Sequence, residues 1–450
     1  MITRLLVAVL LTAGLLSCTR KYESPVNMRL QQFPSSTKAY KPVKNLPSFF
    51  WWQQFHDQEL DRLIELGLAN NTDIHIAIAN LQQAQGVLQQ VRLSWIPIIK
   101  TYAGYSTNPA LGAPAGFYGV WPYYALNIMQ LYSQQKQARY YVDYYQAAIS
   151  GVRLLVIGQI SASYFTLMAQ LEQLRLIQQL DKDLKTLIGL SEQDIKIGLA
   201  NQIDLAQLQA DERQIAAQIP PIRHNIVVSQ NALRYLINAD PGPVRSKNNF
   251  AQLDFSRFKP GSLPAQVLNN RPDMKMAEYA LKAAKMDINI AYSNFFPSLQ
   301  LDEFIGEAHV PHNLFVQATD AYFNGTIALN TFGTIGASKG VYNAKIAEFI
   351  KTAKRILKEV DTDYSANKRM NEQYLIYLHA ERDYRHKYQL QQGLLKTGLI
   401  SYKELVQSKI YLDDLALSTN QAKLELAMSL VVLYQDLAGG YACKQGVGLK

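Results

Sequence analysis

The stretch "NNRPDMKMAEYALKAAKMDINIAYSNFFPSL", Asn269 to Leu299, has a twin in "NNTDIHIAIANLQQAQGVLQQVRLSWIPII", Asn70 to Ile99. Without a gap, Leu68, Asn70, Asp73, Ala77, Leu81, Ala84 and Pro97 recur as Leu268, Asn270, Asp273, Ala277, Leu281, Ala284 and Pro297. In both copies an Asp stands where the unpaired N–H groups of a helix N-terminus favour a carboxylate, and a proline stops the helix. The same offset continues through Ala147 and Ala347, Tyr164 and Tyr364, Glu172 and Glu372, then Gly198-Leu199 and Gly398-Leu399. Solenoid repeats recur every ~20 to 50 residues, so this longer spacing reads as a tandem duplication of two similar halves.

The chain has 450 residues and a formal charge of +9, spread without a block of one sign. Lys351, Lys354, Arg355 and Lys358 therefore read as a solvated helix face, and nucleic acid is not an expected partner. At the N-terminus Arg4 is a thin positive region and Leu5 to Leu16 an apolar run too short to span a bilayer as a helix. The run ends in "LLSC", which resembles a bacterial lipobox with Cys18 as the lipidated residue. Leu16 departs from the small residue usual there, and an ordinary signal peptide or an uncleaved anchor stays open as the alternative. With Cys18 lipidated, Cys443 has no disulfide partner within the chain. One lipidated residue anchors only marginally, so a second membrane contact is expected.

The segmentation follows from pattern. Residues 1–17 form the signal and 18–47 a polar, proline-punctuated leader. Residues 48–240 form the first repeat, with short helices, a hairpin at about 98–132 and a long helix pair at about 137–238. Residues 241–262 are a linker, and 263–437 form the second repeat, with a helix at about 273–294, a hairpin at about 297–332 and helices at about 337–434. Residues 438–450 are a tail. Trp51 and Trp52 are expected in a core. Phe323, Gly325, Ile327 and Leu329 alternate with Asn324, Thr326, Ala328 and Asn330, as a strand with one lipid-facing and one wetted face requires, or a half-buried soluble strand. Ile160, Tyr164, Leu167, Leu171, Leu174, Ile177, Leu180, Leu184 and Leu187 advance by threes and fours along a helix of roughly 90 Å at ~1.5 Å per residue. Gly198 and Gly398 are the turns at the far ends, and Pro220-Pro221 should kink the first return helix. Four strands from one chain leave unsatisfied edges in hydrocarbon, so partners are needed to close them.

"FHDQELDRLIELGLANNTDIHIAIANLQQAQ", "LPAQVLNNRPDMKMAEYALKAAKMDINIAYSNFFPSL", the twin tips "GLANQIDLAQ" and "GLISYKELVQ", and the closing "LYQDLAGGY" resemble the TolC-type outer-membrane efflux family in its NodT/OprM-like lipoprotein branch. The resemblance covers nearly the whole mature chain. It implies a mainly α fold with transmembrane β: a homotrimer whose four strands per chain make a 12-stranded β-barrel above a periplasmic α-helical barrel. It implies passive conduction of drugs or small solutes, delivered by an inner-membrane RND-type pump and a periplasmic adaptor, with outer-membrane lipid around the barrel and no cofactor. Gly198, Leu199, Gly398 and Leu399 match the adaptor-contacting tips. Asp204 and Glu404 match positions where the family carries an acid; in a trimer they would form acidic rings that favour cations and help gate the periplasmic mouth, or they are solvated helix carboxylates. One departure is the missing glycine after the second strand, where "QLYSQQKQ" stands and Gly333 supplies it in the other half. The outer-membrane component of type I protein secretion, and a periplasmic coiled-coil lipoprotein without a pore, are the alternatives.

No nucleophile elbow, HExxH or dinucleotide fingerprint occurs, and "GTIGASKG" misses phosphate-loop spacing, so no catalytic residue and no enzymatic activity are expected. His309 and His312 read as loop polarity or a metal pair, whereas His379 and His386, roughly 10 Å apart on a helix, are too far apart to share an ion. No metal site is assigned.

Overall fold

A computed structural model describes residues 50–106, 115–244, 249–255, 268, 271–310, 312–325 and 328–437. A 3-10 turn, Trp51–Phe55, leads into α1, Gln58–Asn70, and α2, Thr72–Leu93. Strands β1, Ile98–Ser106, and β2, Ala115–Leu126, follow, then α3, Ile128–Lys196, α4, Gln202–Ala216, and α5, Ile219–Leu236. After a 3-10 turn at Phe250–Gln252 the pattern repeats as α6, Pro272–Ser293, β3, Ser298–Val310, β4, His312–Asn324, α7, Asn330–Lys396, and α8, Tyr402–Asp436.

Local chemistry sets these boundaries. Asp57 caps α1 by accepting from the N–H groups of Glu59 and Leu60, and Asn71 caps α2 by accepting from Asp73 and Ile74. The second repeat has Arg271 where the first has Asn71, and a guanidinium cannot accept a bond. There Pro272 removes one free N–H, and Asp273 Oδ1 accepts from Met274 N at 3.0 Å. Helices α3 and α7, with 69 and 67 residues, extend about 100 Å each at ~1.5 Å per residue.

The strands form one antiparallel sheet in the order β1-β2-β3-β4, so the ladder between β2 and β3 joins the two repeats. Within it Gly119 lies opposite Gly306. A Cβ on Gly306 would come within 2.4 Å of the Tyr118 carbonyl, and the Phe304 ring covers the pair. The rods meet at a waist. Trp51, Trp52, Phe55, Leu60, Ile64, Ile160, Phe165, Leu233, Phe255 and Leu430 share one buried cluster there. Trp51 stacks on Tyr434 with ring centroids 4.8 Å apart, a contact worth ~0.5–1.5 kcal/mol beyond its buried area. A second cluster joins α6, α7 and α8 through Met274, Leu281, Phe349, Ile356, Val360 and Leu433. One apolar window of α3 is long enough to cross a membrane, but most of it is buried in the fold.

Two expectations change. Of the stretch 323–330, Phe323 and Asn324 close β4, Gly325 and Ala328 lie outside the sheet, and α7 already begins at Asn330. The long helices start earlier than 137 and 337, at Ile128 and Asn330. In the first repeat Asn127 makes the join, accepting from Gln130 N and donating to the Ser293 carbonyl. Gly333 lies inside α7 with open space at its Cβ position, so a glycine is not what turns strand into helix. The first return helix is interrupted at Ala217-Gln218, both still in the right-handed helical region, directly before Pro220 and Pro221, which occupy the first turn of α5, where a missing N–H costs nothing.

Candidate functional site

The far ends of α3 and α7 are built alike. Gly198 and Gly398 have φ of +78° and +76°, a left-handed conformation that glycine adopts without strain. Gly198 N donates to the Ile195 carbonyl and Leu199 N to that of Asp194, and Gly398 and Leu399 do the same with Leu395 and Leu394. This paired arrangement satisfies carbonyls that the helix end would otherwise leave open. It also turns Leu199 and Leu399 outward, 77% and 72% exposed, beside Ile197 at 68% and Ile203 at 80%. The tips are thus small apolar knobs on polar rods.

Asp204 and Glu404 both occupy the third position of the next helix. Asp204 N donates to Asn201 Oδ1 at 2.9 Å. Glu404 is in a reciprocal box: its N donates to Ser401 Oγ at 3.1 Å, and its Oε2 accepts from Ser401 N at 3.0 Å. Both carboxylates are exposed and lie at the positive end of a helix dipole.

Ion pairs bring the two tips together. Lys403 Nζ lies 2.7 Å from Asp194 Oδ2 and so joins α8 to α3. Lys185 bridges α3 to Glu212 of α4 at 3.3 Å, and Lys409 reaches Asp183 at 3.8 Å while pairing with Asp413. Burial, with Asp183 nearby, pushes the Asp413 carboxyl up to about 6 against the opposing pull of Lys409. Sequence reasoning missed this network. The one-turn spacings Asp181–Lys185 and Lys409–Asp413 were its visible signals, because the partners across helices are remote in sequence.

Higher up the rod, a buried lysine ties down the linker. Lys423 donates to the Ala251 carbonyl at 2.8 Å and lies over the Phe250 ring. Burial lowers its ammonium to about 8, against nearby Asp254, Glu172 and Glu381. Lys351, Lys354, Arg355 and Lys358 are all exposed, as a solvated face requires, and Arg355 also pairs with Asp273 and Glu359. Cys18 and Cys443 lie outside the described residues, as do the side chains of His309 and His312. His379 and His386 are exposed on α7. Among the described residues no group of three or more His, Cys, Asp and Glu is placed to hold a metal ion.

The model of a family described as outer membrane efflux protein matches residues 63–239 and 263–439, one match per repeat. Among curated relatives, the probable outer membrane lipoprotein SilC of Salmonella typhimurium is 24% identical over 96% of this chain and 97% of its own. The toluene efflux pump outer membrane protein TtgC of Pseudomonas putida is 24% identical over 98% of this chain and 96% of its own. Among solved structures, the open state of the MtrE outer membrane channel of Neisseria gonorrhoeae superposes with a TM-score of 0.79 at 21% identity, covering 91% of this chain and 96% of that one.

Proposed function

Since this chain belongs to the outer membrane efflux protein family, it is an outer-membrane channel component of efflux and not an enzyme, and we propose that it works as a homotrimer. The observation that carries the assembly is the single sheet whose outer strands, β1 and β4, each pair on one side only within the chain. In hydrocarbon those edges must be satisfied, and closure by like chains does so without leaving a new edge. Three sheets of four strands make a 12-stranded barrel. The rods of α3, α4 and α5 and of α7 and α8 then line up as a helical conduit below it.

In this reading drugs or small solutes pass from an inner-membrane RND-type pump through a periplasmic adaptor into the conduit. The apolar knobs at Leu199 and Leu399, presented by Gly198 and Gly398, meet the adaptor. Desolvating such exposed leucines stabilises contact by ~1.5–3 kcal/mol each at full burial. Asp204 and Glu404, repeated three times, form acidic rings near the periplasmic mouth that favour cations and help close it. Cys18 carries lipid as a second hold on the membrane beside the barrel.

Extraction in mild detergent should give a trimer that conducts ions in a planar bilayer. A non-conducting monomer would overturn the proposal. Replacing Asp204 and Glu404 together by Asn and Gln should lower cation preference. Because Glu404 also caps α8, S401A serves as the control, since it breaks the cap and keeps the charge. Unchanged cation preference in the double variant would remove the gate role. Mass spectrometry of the mature N-terminal peptide decides lipidation at Cys18.

A further inference from the structure

Each repeat ties down the end of its return helix, with one geometry and two chemistries. In the first, Asn71 Nδ2 donates to the Leu236 carbonyl at 2.9 Å, across 165 residues. In the second, Arg271 Nη1 donates to the Asp436 carbonyl at 3.0 Å, also across 165 residues. The surroundings diverge. Leu155, Gln159, Ser163 and Leu236 of the first repeat correspond to Arg355, Glu359, Asp363 and Asp436 of the second. Four side chains that cannot ionise in the first clasp are replaced by ionisable ones in the second.

Arg271 lies 3.0 Å from Asp273, 3.4 Å from Glu359 and 3.2 Å from the Asp436 carboxylate. Arg355 lies 3.0 Å from Asp273 and 3.2 Å from Glu359. The Asp363 carboxyl lies within hydrogen-bonding reach of Asp436. Two guanidinium groups therefore face four carboxylates, and Asp363 Oδ2 is buried with no donor among the described residues. Two ionised carboxylates offer no hydrogen to each other, whereas one proton between them supplies the missing donor. Asp436 is also the last residue of α8, the negative end of that helix, where a second ionised carboxylate is disfavoured.

We propose that the Asp363 carboxyl keeps a proton and donates it to Asp436, latching the last turn of α8 onto α7, so that its loss as pH rises loosens this end while the neutral clasp of the first repeat stays shut. Charged groups around Asp363 include Arg271 and Asp273 of α6, Arg355 and Glu359 of α7, and Asp436 on α8. Tyr434, on the same turn of α8, is held up to about 12 by burial and stays neutral throughout. Burial first, then Asp436 and Glu359, raise the Asp363 carboxyl from 3.8 to about 7, while Arg271 opposes them. A carboxyl raised in the folded state keeps a proton that the unfolded chain has lost. The stabilisation is complete below the ordinary carboxyl value and disappears as pH rises through the folded one.

The test uses the full chain in detergent and amide hydrogen exchange corrected for the intrinsic effect of pH, followed from about pH 5.5 to about pH 8.5. Protection of Leu430 to Asp436 should fall above the midpoint, by up to about tenfold per pH unit, the limit for one linked proton. Protection of the corresponding end of α5 in the first repeat, Gln230 to Leu236, should not. D363N, which supplies a permanent donor to Asp436, should keep the α8 end protected across the whole range. An infrared carboxylic-acid band in the wild-type protein should vanish through about pH 7 and be smaller by one group in D363N. Equal pH courses at the two helix ends, a pH course that survives in D363N, or a wild-type protein without the band would each overturn the latch. If D363N fails to fold, the comparison of the two helix ends and the infrared band, both read on the wild-type chain, still decide it.

Discussion

The two repeats differ most where their architecture is most alike. Asn71 and Arg271 hold the same carbonyl position at the ends of α5 and α8, yet one does so with a neutral amide and the other with a buried guanidinium among four carboxylates. The return helices differ too: α4 and α5 are separate, whereas α8 runs unbroken from Tyr402 to Asp436. The comparison teaches that the duplicated fold requires a donor to the closing carbonyl and leaves open how that donor is supplied. An amide needs little around it. A guanidinium draws in compensating charge, and that charge makes the second clasp answer to pH.

The largest effect should come from R271A. It leaves carboxylates without their cation, which typically destabilises by ~3–5 kcal/mol, read by denaturant unfolding of the detergent-solubilised protein. A small effect there would mean that the charged clasp is no stronger than the neutral one. N71A should destabilise less, by ~1–3 kcal/mol, because it removes a helix cap and one buried hydrogen bond but strands no charge. Converting the second clasp to the first with R271N, R355L, E359Q, D363S and D436L together should bring stability back to within ~1–2 kcal/mol of the wild type, since neutral packing often replaces a buried ion network at little loss. At the tips G198A and G398A should each destabilise by about 1 kcal/mol or somewhat more and by equal amounts, because both positions have open space and the penalty is conformational alone. The smallest effect, roughly 0.5–1 kcal/mol, belongs to S401A, seen as faster amide exchange in the first turn of α8.

Much of this is legible in the sequence. The duplication offset predicts twin tips, and Gly198 and Gly398 are the two glycines with left-handed φ among the described residues. The stop at Pro97 and Pro297 and the buried Trp51 and Trp52 follow from local chemistry. The position of β4 does not. Its register comes from pairing with β3 across Val310 and His312, so alternation within its own residues carries little of the information. By the pleat, Lys100, Asp302 and Asp320 share one face and Glu303, Glu307 and Gln317 the other, so neither face is uniformly apolar. The residues 323–330 alternate cleanly, yet the strand ends at Asn324 and α7 begins at Asn330. Likewise the start of α3 depends on Asn127 reaching Ser293, a contact 166 residues away that no local pattern announces. At the candidate site, the tips can be read from glycine chemistry, whereas the Asp194–Lys403 bridge between repeats cannot.

The ladder between β2 and β3 has a consequence for biosynthesis. When Leu126 leaves the ribosome its neighbour Leu299 does not yet exist, and everything between them must be synthesised before the middle of the sheet can zip. Such distant pairing is slow and leaves strand edges open to wrong partners meanwhile. The nascent first hairpin therefore has to be shielded during export, and a chain truncated after α5 should aggregate rather than insert.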